Sequence, residues 1–246
     1  MKDWLSRIEQ DCELDILFAC EAGSRAWGLE NPFSDFDIRF IYRYHGLKKY
    51  ITLNKAKQVL EFQSPFDTSG YDIFKAFELI SKSNPSIYEW VYSPIIYKEA
   101  EEFSQKLKKI IESTYSPFSL FKHYGSLCKR NIRESSKGSF SLKKQKQLLQ
   151  SLRAELIRVG IANAKSVASP FTLIEIAKTE DPDLYAAYQT IAEAKRNNKL
   201  LSEFEAVSIT QLLQFSFKET EEYNDIPRIK SSSETLDQWL WEIFGI

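Results

Sequence analysis

Apolar positions follow two different rhythms along this chain. Over the first ninety residues, short apolar runs alternate with turn-rich breaks; beyond Asn84 the spacing becomes helical. Asp3–Gln10 predicts a short helix, with Asp3 at the N-cap and Trp4, Leu5 and Ile8 on one face. Leu14–Cys20 is a compact run of strand length, and Glu21–Gly28 turns a corner. Phe36–Tyr44 predicts a second strand, with Phe36, Ile38 and Phe40 on one face and Asp37, Arg39 and Ile41 on the other. Val59–Phe62 is a third apolar run, followed by a loop punctuated by Pro and Gly and a helix over 73–81. Asn84-Pro85 reads as an N-cap followed by proline at the first helical position, opening a short helix that Pro94 stops. Helical spacing then covers 99–113, 117–134, 141–160, 183–198, 203–222 and 233–244. Tyr115-Ser116-Pro117 predicts a boundary that divides the chain into 1–115 and 116–246.

Composition supplies the core and removes some function classes. With 43% hydrophobic residues, including 17 Phe, 12 Tyr and 5 Trp, the 246-residue chain is not a disordered one. Lys and Arg number 33 against 34 Asp and Glu, which excludes a wholesale polyanion binder. The balance is uneven, however. Ser119–Gly160 holds ten cations, among them Lys122, Lys129, Arg130, Arg133, Lys137, Lys143, Lys144, Lys146, Arg153 and Arg158, opposed only by Glu134 and Glu155. Residues 219–242 are acidic, relieved by Arg228 and Lys230. Cys12, Cys20 and Cys128 form no CxxC pair, so a disulfide scaffold or zinc site is not expected. A charged N-terminus and no apolar run near the ~20 residues of a membrane span predict a cytoplasmic protein with no membrane partner.

The chemistry concentrates in Ala19–Tyr42, ACEAGSRAWGLENPFSDFDIRFIY. Gly23-Ser24 follows a strand and opens a helix, where free backbone N–H groups and the helix dipole suit a phosphate. Asp35 and Asp37 stand two apart on a strand, so both carboxylates are expected on one face. Adjacent carboxylates repel unless a cation separates them, and hard oxygen ligands beside a phosphate call for Mg²⁺ or Mn²⁺. Asp72 is the expected third carboxylate, with Asp67 as its competitor. Neither GS nor DxD means much alone, since DxD is common in solvated turns; their combination and spacing give the pattern its weight.

GSRAWGLENPFSDFDI resembles the GS-x10-DxD signature of the DNA polymerase beta-like nucleotidyltransferase superfamily. SGYDIFKAFELISKSNPSIYEWVYSPIIY (Ser69–Tyr97), FKHYGSLCKRN and KQLLQSLRAEL narrow the similarity to the RNA repair pathway DNA polymerase beta family, the RlaP group, with Tyr71 where that family commonly has Trp. The resemblance implies an α+β fold, in which a mixed sheet flanked by helices is followed by an α-helical domain. It also implies a nucleotidyltransferase catalytic domain over 1–115, with 116–246 binding substrate or RNA. Gly23 and Ser24 would hold an NTP, Asp35 and Asp37 both metals, and Asp72 the catalytic one. The implied acceptor is an RNA end, tRNA first among the candidates. A protein or small-molecule hydroxyl as acceptor, or a binding module without turnover, are the alternatives.

Other residues are weighed against structural roles. Arg25 and Arg39 flank the motif as phosphate contacts, although Arg39 equally suits a salt bridge to Asp37. Lys75, one helical turn beyond Asp72, is a triphosphate candidate. Glu89 and Ser93 are weaker pocket candidates, while Trp90 and His45 read as structural. His123 and Lys146 are expected to contact the nucleotide. Lys129, Arg130, Arg133, Lys143, Lys144 and Arg153 are expected to track RNA phosphates, unless the block is simply the charged surface of a helical bundle.

Overall fold

The structure, a computed structural model, describes residues 1–54, 56–135, 138–229 and 233–246. Lys137 and Lys230 therefore lie outside the described residues. The chain divides into two units. The first comprises Met1–Gly28, Ser34–Tyr115 and the C-terminal segment; the second comprises Leu29–Phe33 and Ser116–Ile229.

The first unit is built on a five-stranded mixed sheet in the order β3-β4-β2-β1-β5. Its strands are β1 (Leu14–Glu21), β2 (Asp37–Tyr44), β3 (Val59–Phe62), β4 (Asp67–Asp72) and β5 (Ile96–Glu99). Only β2 and β4 run parallel; the other neighbours are antiparallel. Leu5 and Ile8 of α1 (Lys2–Cys12) bury with Ile16, Ala19, Ile38, Phe40 and Tyr42, which stand on one face of the sheet. Against this sheet stand α3 (Ile73–Ser81), α4 (Pro85–Val91) and α5 (Phe103–Thr114). The expected N-cap forms at Asn84, whose Oδ1 accepts from the Ser86 N–H at 2.9 Å, and Asp72 caps α3 through the Phe74 N–H at 3.0 Å.

Two strands depart from expectation. Residues 67–72 were expected to be a loop, yet DTSGYD is β4, paired on both sides by β2 and β3. Its polar side chains hide a strand whose Gly70 lies against the Phe40 ring. β5 was likewise not expected after Pro94; it adds to the free edge of β1.

The second unit is helical: α6 (Pro117–Ser135), α7 (Leu142–Ala164), α8 (Pro170–Glu180), α9 (Pro182–Arg196) and α10 (Glu203–Glu221). Leu148, Leu152, Leu156, Ile157 and Ile161 make α7 its buried axis. α8 was not expected from periodicity, although the Ser169 hydroxyl caps it at 3.0 Å with Pro170 at its first position. The last helix, α11 (Glu234–Phe244), was expected with the helical half. It packs instead on the first unit. Trp239 sits between Phe77 and Phe103, with ring centroids 5.0 and 4.8 Å away, and Phe244 stacks on Phe74.

Candidate active site

The end of β1, the start of β2 and the start of β4 meet at one end of the sheet. Pairing sets this arrangement: Glu21 faces Ile38 across β1 and β2, and Asp37 faces Asp67 across the parallel pair. After Glu21 the chain enters α2 (Gly23–Ala26), a single turn, so its N-terminus carries free N–H groups but little macrodipole. Gly23 has a φ of 55°, and a Cβ there would overlap the Asp37 carboxylate. Both the left-handed backbone and the contact require glycine. Ser24, half-buried, is the next residue of the turn.

Asp37 is held at its backbone. Its N–H donates to Glu21 Oε1 at 2.7 Å, and its carbonyl accepts from the Ala22 N–H at 2.7 Å. Glu21, fully buried, also accepts from the Tyr97 hydroxyl. Burial pushes its carboxyl above the usual range, against the two hydrogen bonds; the nearby Asp37 charge adds to the rise. Sequence reasoning missed Glu21, though a carboxylate closing an apolar strand just before Ala22-Gly23 was the available signal.

Asp35 lies in the loop before β2, exposed, so strand alternation does not aim it. Arg25 sets that loop instead. Its Nε donates to the Asp35 carbonyl at 3.2 Å and its Nη2 to the Ser34 carbonyl at 2.9 Å, with the guanidinium 4.0 Å from the Phe36 ring centroid. Arg25 is thus committed to backbone rather than standing open as a phosphate contact.

Arg39 takes the salt-bridge role. Its Nη2 lies 3.3 Å from Asp67 Oδ2 and 3.6 Å from Asp37 Oδ1. Asp37 and Asp67 therefore share one cation.

Asp72 is not part of this cluster. It pairs with Tyr42, five residues along β4 from Asp67, which at strand rise is about 16 Å. There it is 1% exposed, capping α3 and accepting from the Tyr50 hydroxyl at 2.6 Å. The expectation for Asp72 as metal ligand is corrected by this register, and Asp67 is the carboxylate brought opposite Asp37. Lys75 goes with Asp72 and is paired with Glu78 at 3.0 Å. Ser93 is structural, its hydroxyl donating to the Glu21 carbonyl at 2.7 Å, and Trp90 stacks on Tyr71 at 4.8 Å. His45 pairs with Asp15 at 3.0 Å.

The second unit carries the remaining candidates. His123, Lys129, Arg130 and Arg133 are exposed on α6, as are Lys143 and Lys146 on α7. Lys144 donates to the Gly138 carbonyl at 2.7 Å, and Arg153 is half-buried. Arg158, counted in the basic block, is buried and paired with Glu155.

Among the described residues, no group of three or more His, Cys, Asp or Glu stands at metal-holding geometry. The donor set at the sheet end nevertheless fits a hard divalent cation: two aspartates at one register position, already drawn to a positive group, with Asp35 in the adjoining loop.

Residues 1–242 match the family described as RlaP, the RNA repair pathway DNA polymerase beta family. YcgL of Bacillus subtilis (strain 168) is 32% identical over 202 residues, covering 81% of this chain and 76% of its own. A solved structure of a nucleotidyltransferase-like protein from Exiguobacterium sibiricum 255-15 aligns with 99% of this chain and 79% of that one, at a TM-score of 0.37 and 16% identity. Among the described residues, no helix is long and apolar enough to cross a membrane.

Proposed function

We propose that this chain, a nucleotidyltransferase that belongs to the RNA repair pathway DNA polymerase beta family, transfers a nucleoside monophosphate from an NTP to the hydroxyl of an RNA end, with tRNA the first acceptor to test. The observation that carries the reading is the contact between Gly23 and Asp37, which sets a turn able to cradle phosphate against a carboxylate. The family description and the exposed cations of α6 and α7 support the RNA acceptor.

Gly23 and Ser24 bind the triphosphate through backbone N–H groups and the hydroxyl. Asp37 and Asp67, with Asp35 from the loop, would hold Mg²⁺ or Mn²⁺. When bound, such a cation lowers the pKa of the attacking hydroxyl and offsets charge on the phosphoryl oxygens. Asp67 accepts the hydroxyl proton at its carboxylate, the hydroxyl oxygen bonds to the α-phosphorus, and the bond to pyrophosphate breaks. Arg39, beside both carboxylates, adds a fixed positive charge. Glu21 keeps Asp37 in place by holding its N–H.

The test is transfer from each α-labelled NTP, with Mg²⁺ or Mn²⁺, to a mixed tRNA pool and to total protein. Label is expected on tRNA and is expected to fall to background with Asp37→Asn. Label on protein alone would replace the RNA acceptor with a protein hydroxyl. NTP bound without label on either would make the chain a binding module.

A further inference from the structure

The second unit contains a cavity of about 590 Å³, within the few hundred to one thousand Å³ usual for small-molecule sites. One wall is a single face of α6, where Phe118, Phe121, Lys122, Gly125, Ser126 and Lys129 recur at helical spacing. Phe217 and Glu221 of α10 form the facing wall, and Tyr223, Asn224 and Arg228 close it from the segment that follows.

Arg158 lies at the base of this cavity and is 2% exposed. Its guanidinium is sandwiched between the Phe121 and Phe217 rings, 4.4 and 4.3 Å from their centroids. Nη1 donates to Glu155 Oε2 at 2.7 Å, while Nε, fully buried, has no hydrogen-bond partner among the described residues. A buried charged donor left unpaired is costly, and the guanidinium is held there by the two rings and Glu155. Gly125 makes the placement feasible, since a Cβ there would stand 3.1 Å from Nε.

The lining selects a ligand class. With Arg158 paired to Glu155, Lys122, Lys129 and Arg228 still stand against one lining carboxylate, Glu221, so the ligand is anionic. Arg228 already lies 4.0 Å over the Phe118 ring, so cations and flat apolar surfaces occur together rather than in separate patches. A bare anion has no use for the rings, and an apolar ring has none for the cations. Glu221 and Asn224 add an acceptor and an amide, which suit the polar edge of a heterocycle.

We propose that this cavity binds one nucleoside monophosphate unit, its phosphate on Lys122, Lys129 and Arg228 and its base against the aromatic wall above Arg158. The unit is a free nucleotide or the phosphorylated terminal nucleotide of an RNA strand, since both present the same chemistry. The site lies wholly within the second unit, and its occupation is measured without turnover, so it stands or falls independently of the transfer reaction at Asp37.

The test is calorimetric titration of the full chain, free of divalent cations, with AMP, CMP, GMP, UMP, inorganic phosphate and a short RNA bearing a terminal phosphate. A nucleotide or the RNA is expected to bind about tenfold or more tighter than inorganic phosphate. Lys122→Glu/Lys129→Glu, both exposed, is expected to weaken that binding about tenfold or more, the scale of a lost charge-assisted hydrogen bond. Asn224→Ala is expected to weaken it more mildly, and Asp37→Asn to leave it unchanged. Mononucleotide binding identifies the free ligand; binding of RNA alone identifies the strand end. Inorganic phosphate binding as tightly as every nucleotide would overturn the proposal. So would indifference to both the charge reversal and Asn224→Ala in variants that melt normally, or loss of binding with Asp37→Asn.

Discussion

Asp67 and Asp72 are five positions apart on one strand and have opposite environments. Asp67 is exposed and shares Arg39 with Asp37; Asp72 is buried, and its carboxylate caps a helix. Burial pushes the Asp72 carboxyl above the usual aspartate range, against the Tyr50 hydroxyl and the α3 N–H groups that favour the ionised form. The folded state therefore holds this proton more tightly than the unfolded chain. The stability it contributes is complete below the ordinary aspartate pKa and is lost as pH rises through the raised value. Asp72→Asn keeps an N-cap acceptor and removes the charge. It is expected to retain NMP transfer, to be at least as stable at neutral pH, and to flatten this component of the acid-side profile in denaturation series. Asp67→Asn should lose transfer while changing stability by no more than about 1 kcal/mol, as for an exposed ion pair. The opposite pattern of activities would restore Asp72 to the site. Gly23, Ser24, Asp35 and Asp37 could be singled out in the sequence because one strand–turn–strand segment carries them all. The choice between Asp67 and Asp72 could not, because it depends on the register of a parallel pairing between strands that are not consecutive.

Elements were legible where their own periodicity declares them and obscure where neighbours define them. β1 and β3 carry apolar runs, and α6 and α7 carry long helical stripes. β4 sets Thr68 and Tyr71 against the strand-disfavouring Asp67, Gly70 and Asp72 and exists through pairing on both edges; β5 is only four residues long. The last helix was legible as a helix, but not its partner, since an apolar stripe says nothing about which surface it covers. Trp239, 5% exposed and held between Phe77 and Phe103, carries that attachment. Trp239→Ala is expected to cost about 3–5 kcal/mol, read as a lower denaturation midpoint. A shift below about 1 kcal/mol would mean that α11 adds little to the first unit.

At the scale of the molecule, a net charge of −1 conceals a basic region, and the structure determines how much of it faces solvent. Arg158 is spent inside the second unit, paired with Glu155, and Lys144 is engaged with the Gly138 carbonyl. Lys122, Lys129, Arg130, Arg133, Lys143 and Lys146 remain exposed on α6 and α7. Each phosphate neutralised on a single strand contributes about −0.7 to the slope of log K against log salt, so these six cations together would contribute about −4. Lys143→Ala/Lys146→Ala spares the cations of the α6 cavity and is expected to make the slope shallower by about 1.4, with all RNA sequences weakened alike. Fluorescence anisotropy of labelled RNA across a salt series measures both. An unchanged slope in the double variant would remove α7 from the footprint. Affinity indifferent to salt would mean that the basic block is only the solvated face of a helical bundle, and that the acceptor is recognised without it.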